Sequence, residues 1–317
     1  MSAGAGLLDS QLLARLDMLS IAAKTRIRGT LQGRRRSRGL GSSLEFADYR
    51  LYSPGDDTRQ LDWNAYGRTG KPFIKLFMDE QELQVHLWLD VSASMGFGGA
   101  NGVSPPLSAP AAGGAATGLQ PLSKLEYAKR LAAAIGYMSL NRFDRVGAAS
   151  FTDRIESRLA PLRGKGSAPR LFAFLEQCAL AGAGDAAAVF GQPGALPGQP
   201  GMTWLFSDFM YESGVREALS YLLAARQEVV VVQVLAREEV APSLSGELKL
   251  IDSESGLGKE VAFSDKVLRA YGKAFDRFTG ELRAFCFERG IAYVQAVTDM
   301  PVDEVLLKEL RRSGLLG

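Results

Sequence analysis

From Leu83 onward, short apolar runs alternate with helical stretches, and that alternation restricts the chain to a parallel sheet covered by helices on both faces. Residues 84–90 read as a strand that is apolar on both faces toward its end, as a central parallel strand must be. Residues 145–151, 202–206, 228–235 and 291–296 repeat the pattern, and 228–235 is the richest in β-branched side chains. Helices are predicted over 123–140, 167–181, 215–226, 264–289 and 302–312, with Ser123 and Glu126 spaced as a capping box. Residues 155–159 are expected to pair beside 145–151, 186–190 to form a short helix, and 248–252 with 260–263 an antiparallel hairpin.

This second part, residues 81–317, follows one of different character. Residues 7–24 place Leu8, Leu12, Leu16 and Leu19 at helical spacing, an amphipathic helix in need of a surface to dock on. Residues 24–38 then carry seven basic side chains and no acid. Residues 39–70 are dense in Gly, Asp, Arg and aromatics, with a turn signal at Ser53-Pro54-Gly55-Asp56. Residues 1–80 are therefore expected to form a small irregular subdomain whose core is Tyr49, Tyr52, Trp63 and Tyr66. Residues 96–121 are almost wholly Gly, Ala, Pro and Ser, carry no charge, and are expected to form a flexible surface loop.

Composition narrows the chemistry. The chain has one histidine and two cysteines in 317 residues, which excludes zinc ribbons, His-rich metalloprotease sites, iron–sulfur ligation and a disulfide scaffold. Cys178 and Cys286 lie in helix-like stretches and are expected to be buried free thiols in a reducing compartment. A net charge of +2 makes any nucleic-acid contact a local matter. No run reaches the roughly 18 apolar residues of a membrane span. Asp9, Arg15 and Asp17 interrupt the first leucines, so neither a secretory leader nor membrane insertion is expected, and the cytoplasm is the expected location.

Asp90-Val-Ser92-Ala-Ser94 falls where the first parallel strand ends, the place where open α/β sheets bind ligands. One carboxylate and two hydroxyls in alternating positions are hard oxygen donors of the kind Mg²⁺ takes. Asp208 stands in the matching place after the strand 202–206. The plainer reading is a structural turn, in which Asp90 and Ser92 cap backbone groups.

These motifs resemble the metal-ion-dependent adhesion site of von Willebrand factor A domains. The run Glu45-Phe46, Arg50, Tyr52, Gly55-Asp56-Asp57, Arg59, Leu61-Asp62-Trp63 and Arg68 is more specific, and it continues through Leu89-Asp90-Val-Ser92-Ala-Ser94-Met95. It is similar to the bacterial domain-of-unknown-function family fifty-eight, as are Lys124-Leu-Glu-Tyr-Ala and Asp144-Arg-Val-Gly. The resemblance implies an α/β fold of the von Willebrand factor A-like (Rossmann-like) kind, with a mostly parallel sheet and helices on both faces. It also implies Mg²⁺ (or Mn²⁺) held by Asp90, Ser92, Ser94 and Asp208. By the same resemblance the chain is an adaptor, without catalysis or a small-molecule substrate, that works with a MoxR-type AAA+ ATPase in the assembly or maturation of complexes. A-domains add a Thr on the loop after the second helix. Here Gly184 stands in its place, so either Asp185 lends the missing oxygen or the site is weak or empty.

Rival chemistry is thinner. His86 lies four residues before Asp90 on one strand, roughly 13 Å away at ~3.3 Å per residue, too far to join Ser92 or Ser94 in a triad. It is expected to be a satisfied core or edge histidine. The stretch 67–72 lacks the spacing of a phosphate loop, and 96–101 lacks the third Gly of a dinucleotide loop. Asp56 and Asp57 sit in a Pro-Gly turn, where adjacent acids more often form turns and ion pairs than acid–base machinery. The basic arm is able to neutralise phosphates, but it lacks the interleaved aromatics of single-strand binders. It is read instead as a partner-docking arm (Arg34, Arg35, Arg36), extended by Asp56, Asp57, Arg59, Asp62, Trp63 and Arg68. A metal-independent scaffold binding partners through residues 24–70 is thus the alternative to the metal-bridged adaptor.

Overall fold

The computed structural model describes residues 6–23, 45–56, 58–78, 82–98, 122–211, 213–242, 246–251, 258–263 and 265–316. The basic arm with Arg34, Arg35 and Arg36, Asp57, and residues 99–121 of the expected loop lie outside them. The chain divides into two units, residues 24–82 and residues 1–23 with 83–317. The elements are helix α1 (Ser10–Leu16), strand β1 (Glu45–Leu51), α2 (Trp63–Thr69), β2 (Phe73–Met78) and β3 (Gln84–Asp90). Then come α3 (Lys124–Asn141), β4 (Arg145–Phe151), β5 (Ile155–Arg163), α4 (Ala168–Gln177), α5 (Ala186–Phe190) and β6 (Gly201–Ser207). The rest are α6 (Val215–Ala224), β7 (Gln227–Leu235), α7 (Arg237–Val240), β8 (Gly246–Ile251), β9 (Gly258–Phe263), α8 (Asp265–Glu288), β10 (Ala292–Val297) and α9 (Val302–Glu304). A π-helical segment, Val305–Leu310, continues α9.

In the smaller unit, β1 and β2 pair antiparallel with an irregularity between Phe46 and Asp48. Asp62 caps α2 by accepting from the backbone N–H groups of Asn64 and Ala65, each at 3.0 Å. Gly70 closes the helix in the left-handed region, at φ 65°. The expected aromatic core is not there. Trp63 is 66% exposed, and Tyr49 and Tyr66 are 44% exposed. Helical spacing explains it: Trp63 and Tyr66 are three residues apart and share the outer face, with rings edge-to-face at 6.3 Å, while Ala65 turns inward.

The larger unit is built on a six-stranded sheet of order β10-β7-β6-β3-β4-β5. All neighbours are parallel except β5, which runs antiparallel to β4. Alternate residues of each strand feed two cores. Val85, Leu87 and Leu89 join Trp204, Phe206, Val230 and Val232 under α3 and α4. Trp88, Leu205, Val229 and Val231 join Phe190, Leu219, Leu222 and Leu282 of α5, α6 and α8. This two-sided burial is why the strands are apolar throughout rather than alternating.

The smaller unit ends at residue 82, close to the expected residue 80, but it begins at residue 24 rather than residue 1. Residues 6–23 belong to the sheet unit, where Leu7, Leu8, Leu16, Leu19 and Ile21 are buried in the first core. Asp17 accepts the Tyr137 hydroxyl at 2.7 Å, and Ile21 bridges to Leu316. The leucine stripe needs apolar surface, and among its described residues the small unit buries just Ala65, Ile74 and Asp62. Cys178 and Cys286 are buried and unpaired. Among the described residues no helix is long and apolar enough to cross a membrane.

The strand order places a switch point between β3 and β6, because the chain leaves β3 toward β4 and returns to β6 on its other side. Here the two strands approach closely. A Cβ on Gly201 would meet the backbone oxygen of Gln84 at 2.3 Å, and a backbone atom in a central sheet cannot step aside. Gly201→Ala is expected to cost about 1–3 kcal/mol by overpacking, read as a lower urea midpoint with an unchanged slope.

Candidate functional site

Asp90 ends β3 and is fully buried. Its Oδ1 accepts the backbone N–H of Ser92 at 2.8 Å, an Asx turn that folds the Asp-x-Ser-x-Ser loop back on the strand. The Ser92 and Ser94 hydroxyls lie 3.1 Å apart. Across the switch point, β6 ends in Ser207, whose hydroxyl donates to Asp90 Oδ2 at 2.6 Å and accepts the N–H of Phe209 at 2.8 Å. The Tyr211 hydroxyl donates to that same Asp90 oxygen. The chain makes this return through Phe209, a buried non-glycine residue at φ 59°. That is a sparsely populated conformation, tolerated where surrounding structure enforces it.

Asp208 completes the cluster. Its Oδ1 accepts the N–H of Met210 at 3.0 Å, and its Oδ2 is paired with Lys124 Nζ at 2.7 Å, both side chains being 1% exposed. The same ammonium meets Glu239 Oε1 at 2.6 Å, while the other Glu239 oxygen takes the backbone N–H of Ala236 at 2.8 Å. Gln233 donates to the carbonyl of Asp208 at 3.0 Å and accepts the Tyr293 hydroxyl at 2.6 Å. Burial, and then the charge of Asp208, hold the Asp90 carboxyl above the usual range, against the pull of its Ser207, Tyr211 and Ser92 donors. Burial works against the Lys124 charge, but Asp208 and Glu239 outweigh it and hold the ammonium above the ordinary lysine value. Burial, followed by Asp90, raises Tyr211.

Asp90, Ser92, Ser94 and Asp208 therefore come to the strand ends that the sequence assigns them. Asp185 does not join them: its Oδ1 caps α5 through the N–H of Ala188 at 3.0 Å. Gly184 does border the site. A Cβ there would meet Tyr211 Cε1 at 2.6 Å and Ser92 Cβ at 3.0 Å, so the tyrosine ring fills the space a threonine would need. Tyr211 and Glu239 escaped the sequence reading, and Ser207 and Lys124 lay in its motifs without being assigned to the site. Lys124 had left one signal, a cation at the very start of a helix, where the macrodipole disfavours it unless acids answer it.

As arranged, these residues do not fit a divalent ion. Mg²⁺ sites rest on one or two carboxylates open to the ion. Both oxygens of Asp90 and both of Asp208 are taken by donors of the chain, and Asp208 already faces a full positive charge. The remaining pair, Ser92 and Ser94, is neutral. Among the described residues no three His, Cys, Asp or Glu side chains come together as a metal-binding group.

His86 is not the satisfied histidine expected. Its Nε2 is buried with no hydrogen-bond partner among the described residues, and burial together with nearby Arg158 lowers its pKa to about 4. It stays neutral and remote from any triad. In the smaller unit, Asp56 pairs with Arg50 at 2.8 Å and accepts the N–H of Ser53, a turn-forming role. Asp62 is buried, caps α2 and accepts the Tyr49 hydroxyl at 2.8 Å. Arg59, Trp63 and Arg68 are exposed.

A family model described as Protein of unknown function DUF58 matches residues 48–104 and 107–279. The uncharacterized protein Rv1480 of Mycobacterium tuberculosis is 28% identical over 264 residues, which cover 82% of this chain and 76% of that one. The uncharacterized protein Mb1516 of Mycobacterium bovis matches to the same extent, 28% over 264 residues. Among solved structures, the conserved hypothetical protein BatB from Bacteroides thetaiotaomicron is similar over 73% of this chain and 98% of its own, at 16% identity and a TM-score of 0.38. An aerotolerance-related membrane protein from Bacteroides fragilis is similar over the same shares, 73% and 98%, at 16% identity and a TM-score of 0.39.

Gly184→Thr is expected to destabilise the protein by about 1–3 kcal/mol through overpacking. Combined with Tyr211→Ala, it is expected to cost less than the two single changes added together, because the ring that obstructs it is gone. Urea unfolding of the four proteins of this cycle checks both statements.

Proposed function

This chain belongs to the family described as Protein of unknown function DUF58, and from that premise we propose that it is a protein-binding adaptor of von Willebrand factor A-like build. It has no catalytic activity of its own and docks in the cytoplasm on a MoxR-type AAA+ ATPase. The partner class rests on the resemblance carried by the Asp-x-Ser-x-Ser loop and the run before it.

The observation that carries the reading is the outward face of α2. Trp63 and Tyr66 stand exposed side by side on a helix fixed at both ends by Asp62 and Gly70. Exposed Arg59, Arg68 and Lys71 lie in the same segment. Among the described residues of this segment, Asp56 is used on Arg50 and Asp62 on Tyr49 and the helix start. Trp, Tyr and Arg dominate the residues that carry binding energy at protein interfaces. A rigid aromatic and cationic face fits an acidic partner surface, because complementary charge steers encounter and fixes the register. The strand-end cluster favours binding over catalysis. A carboxylate that already holds three donors, and another paired with an ammonium, are not free bases beside a nucleophile.

Isothermal titration of the purified chain against a purified MoxR-type ATPase from the same genome tests this. Trp63→Ala and Arg68→Glu are each expected to weaken the complex at least tenfold, about 1.4 kcal/mol. Ser94→Ala is expected to bind as the wild type does. A complex indifferent to both α2 substitutions contradicts the docking face, and no complex with the wild type contradicts the partner class.

A further inference from the structure

We propose that the switch point of this chain is set without a metal, the Lys124 ammonium being the resident cation of its strand-end acids. The inference goes beyond the docking reading and stands whichever face a partner uses. Three observations converge on it.

The first is the placement of Lys124. It opens α3 with no exposure, and its Nζ lies 2.7 Å from Asp208 Oδ2 and 2.6 Å from Glu239 Oε1. It also sits 5.8 Å from the centre of the Phe97 ring. A buried ammonium persists only where acids and hydrogen bonds answer it, and here two carboxylates from separate parts of the chain do so. The second is Asp90, which is satisfied by three donors of the chain itself: the Ser92 N–H and the Ser207 and Tyr211 hydroxyls. The third is the Tyr211 ring, which lies against Gly184 and leaves no room for a further oxygen-bearing side chain.

A divalent ion would have to displace the ammonium from Asp208 or share that carboxylate with it, and two cations at one buried carboxylate repel strongly. Ion and ammonium therefore exclude each other. Recognition at this end of the sheet then cannot proceed by a partner carboxylate completing a metal shell. The Ser92–Ser94 hydroxyls remain as neutral hydrogen-bonding groups.

Mn²⁺ titration followed by paramagnetic resonance, paired with thermal unfolding, tests the inference on the intact chain. Wild type is expected to leave the free-ion signal undiminished at millimolar Mn²⁺ and to unfold at the same temperature with Mg²⁺ or with EDTA. Lys124→Met frees Asp208 and Glu239. It is expected to unfold at a lower temperature, to take up Mn²⁺ and to recover part of the lost midpoint with it. Lys124→Arg keeps the charge and is expected to bind no ion. Saturable one-to-one Mn²⁺ binding by wild type overturns the proposal, as does a Lys124→Met protein that loses stability without recovery by the ion or loses none. Should Lys124→Met not fold with or without ion, the wild-type and Lys124→Arg titrations decide.

Discussion

The buried ion pair between Lys124 and Asp208 ties the start of α3 to the end of β6 across the point where the strand order reverses. Removing one partner of such a pair typically costs about 3–5 kcal/mol, because the other is left charged and alone. Domains of this class are stable by some 5–15 kcal/mol in all, so this one contact is a sizeable fraction of the whole. Its neighbours depend on it. Asp208 held in place positions the turn through Phe209, and that turn presents Ser207 and Tyr211 to Asp90. Glu239, drawn to the same ammonium, anchors α7 directly after β7.

Around this polar knot the sheet is apolar on both faces. Residues 85, 87 and 89 of β3 enter one core and Trp88 the other, with Trp88 packed edge-on to Phe190 at 4.8 Å. The polar groups stay at the C-terminal strand ends because there the ladder stops and backbone N–H groups are free to bind side-chain oxygens. The Asx turn at Asp90 and the capping of Phe209 and Met210 by Ser207 and Asp208 are instances.

Much of this was legible in the residues. Periodicity placed every strand of the main sheet and its long helices, because two-sided burial writes itself as unbroken apolar runs such as 229–232. The strand-end acids were legible because Asp90 follows such a run directly and Asp208 follows one after Ser207 alone. The partners of those acids were not. Lys124 lies 84 residues from Asp208 and Tyr211 lies 121 from Asp90, separations at which pattern carries no information about contact. The leucines at 8, 12, 16 and 19 announced an apolar stripe but not which surface it covers, and of that stripe only the stretch Ser10–Leu16 is helical. Trp63 and Tyr66 looked like core by composition alone, and the helical phase that turns them outward emerges only once α2 has a defined start at Asp62.

The polar network of the switch point depends on the coupling between Lys124 and Asp208. A double-mutant cycle in urea with Lys124→Met, Asp208→Leu and the pair measures it directly. The double variant is expected to lose at least about 2 kcal/mol less than the sum of the single losses, since the pair fails as a unit. Losses that add to within about 0.5 kcal/mol would show that the two charges do not depend on each other, and would contradict that coupling.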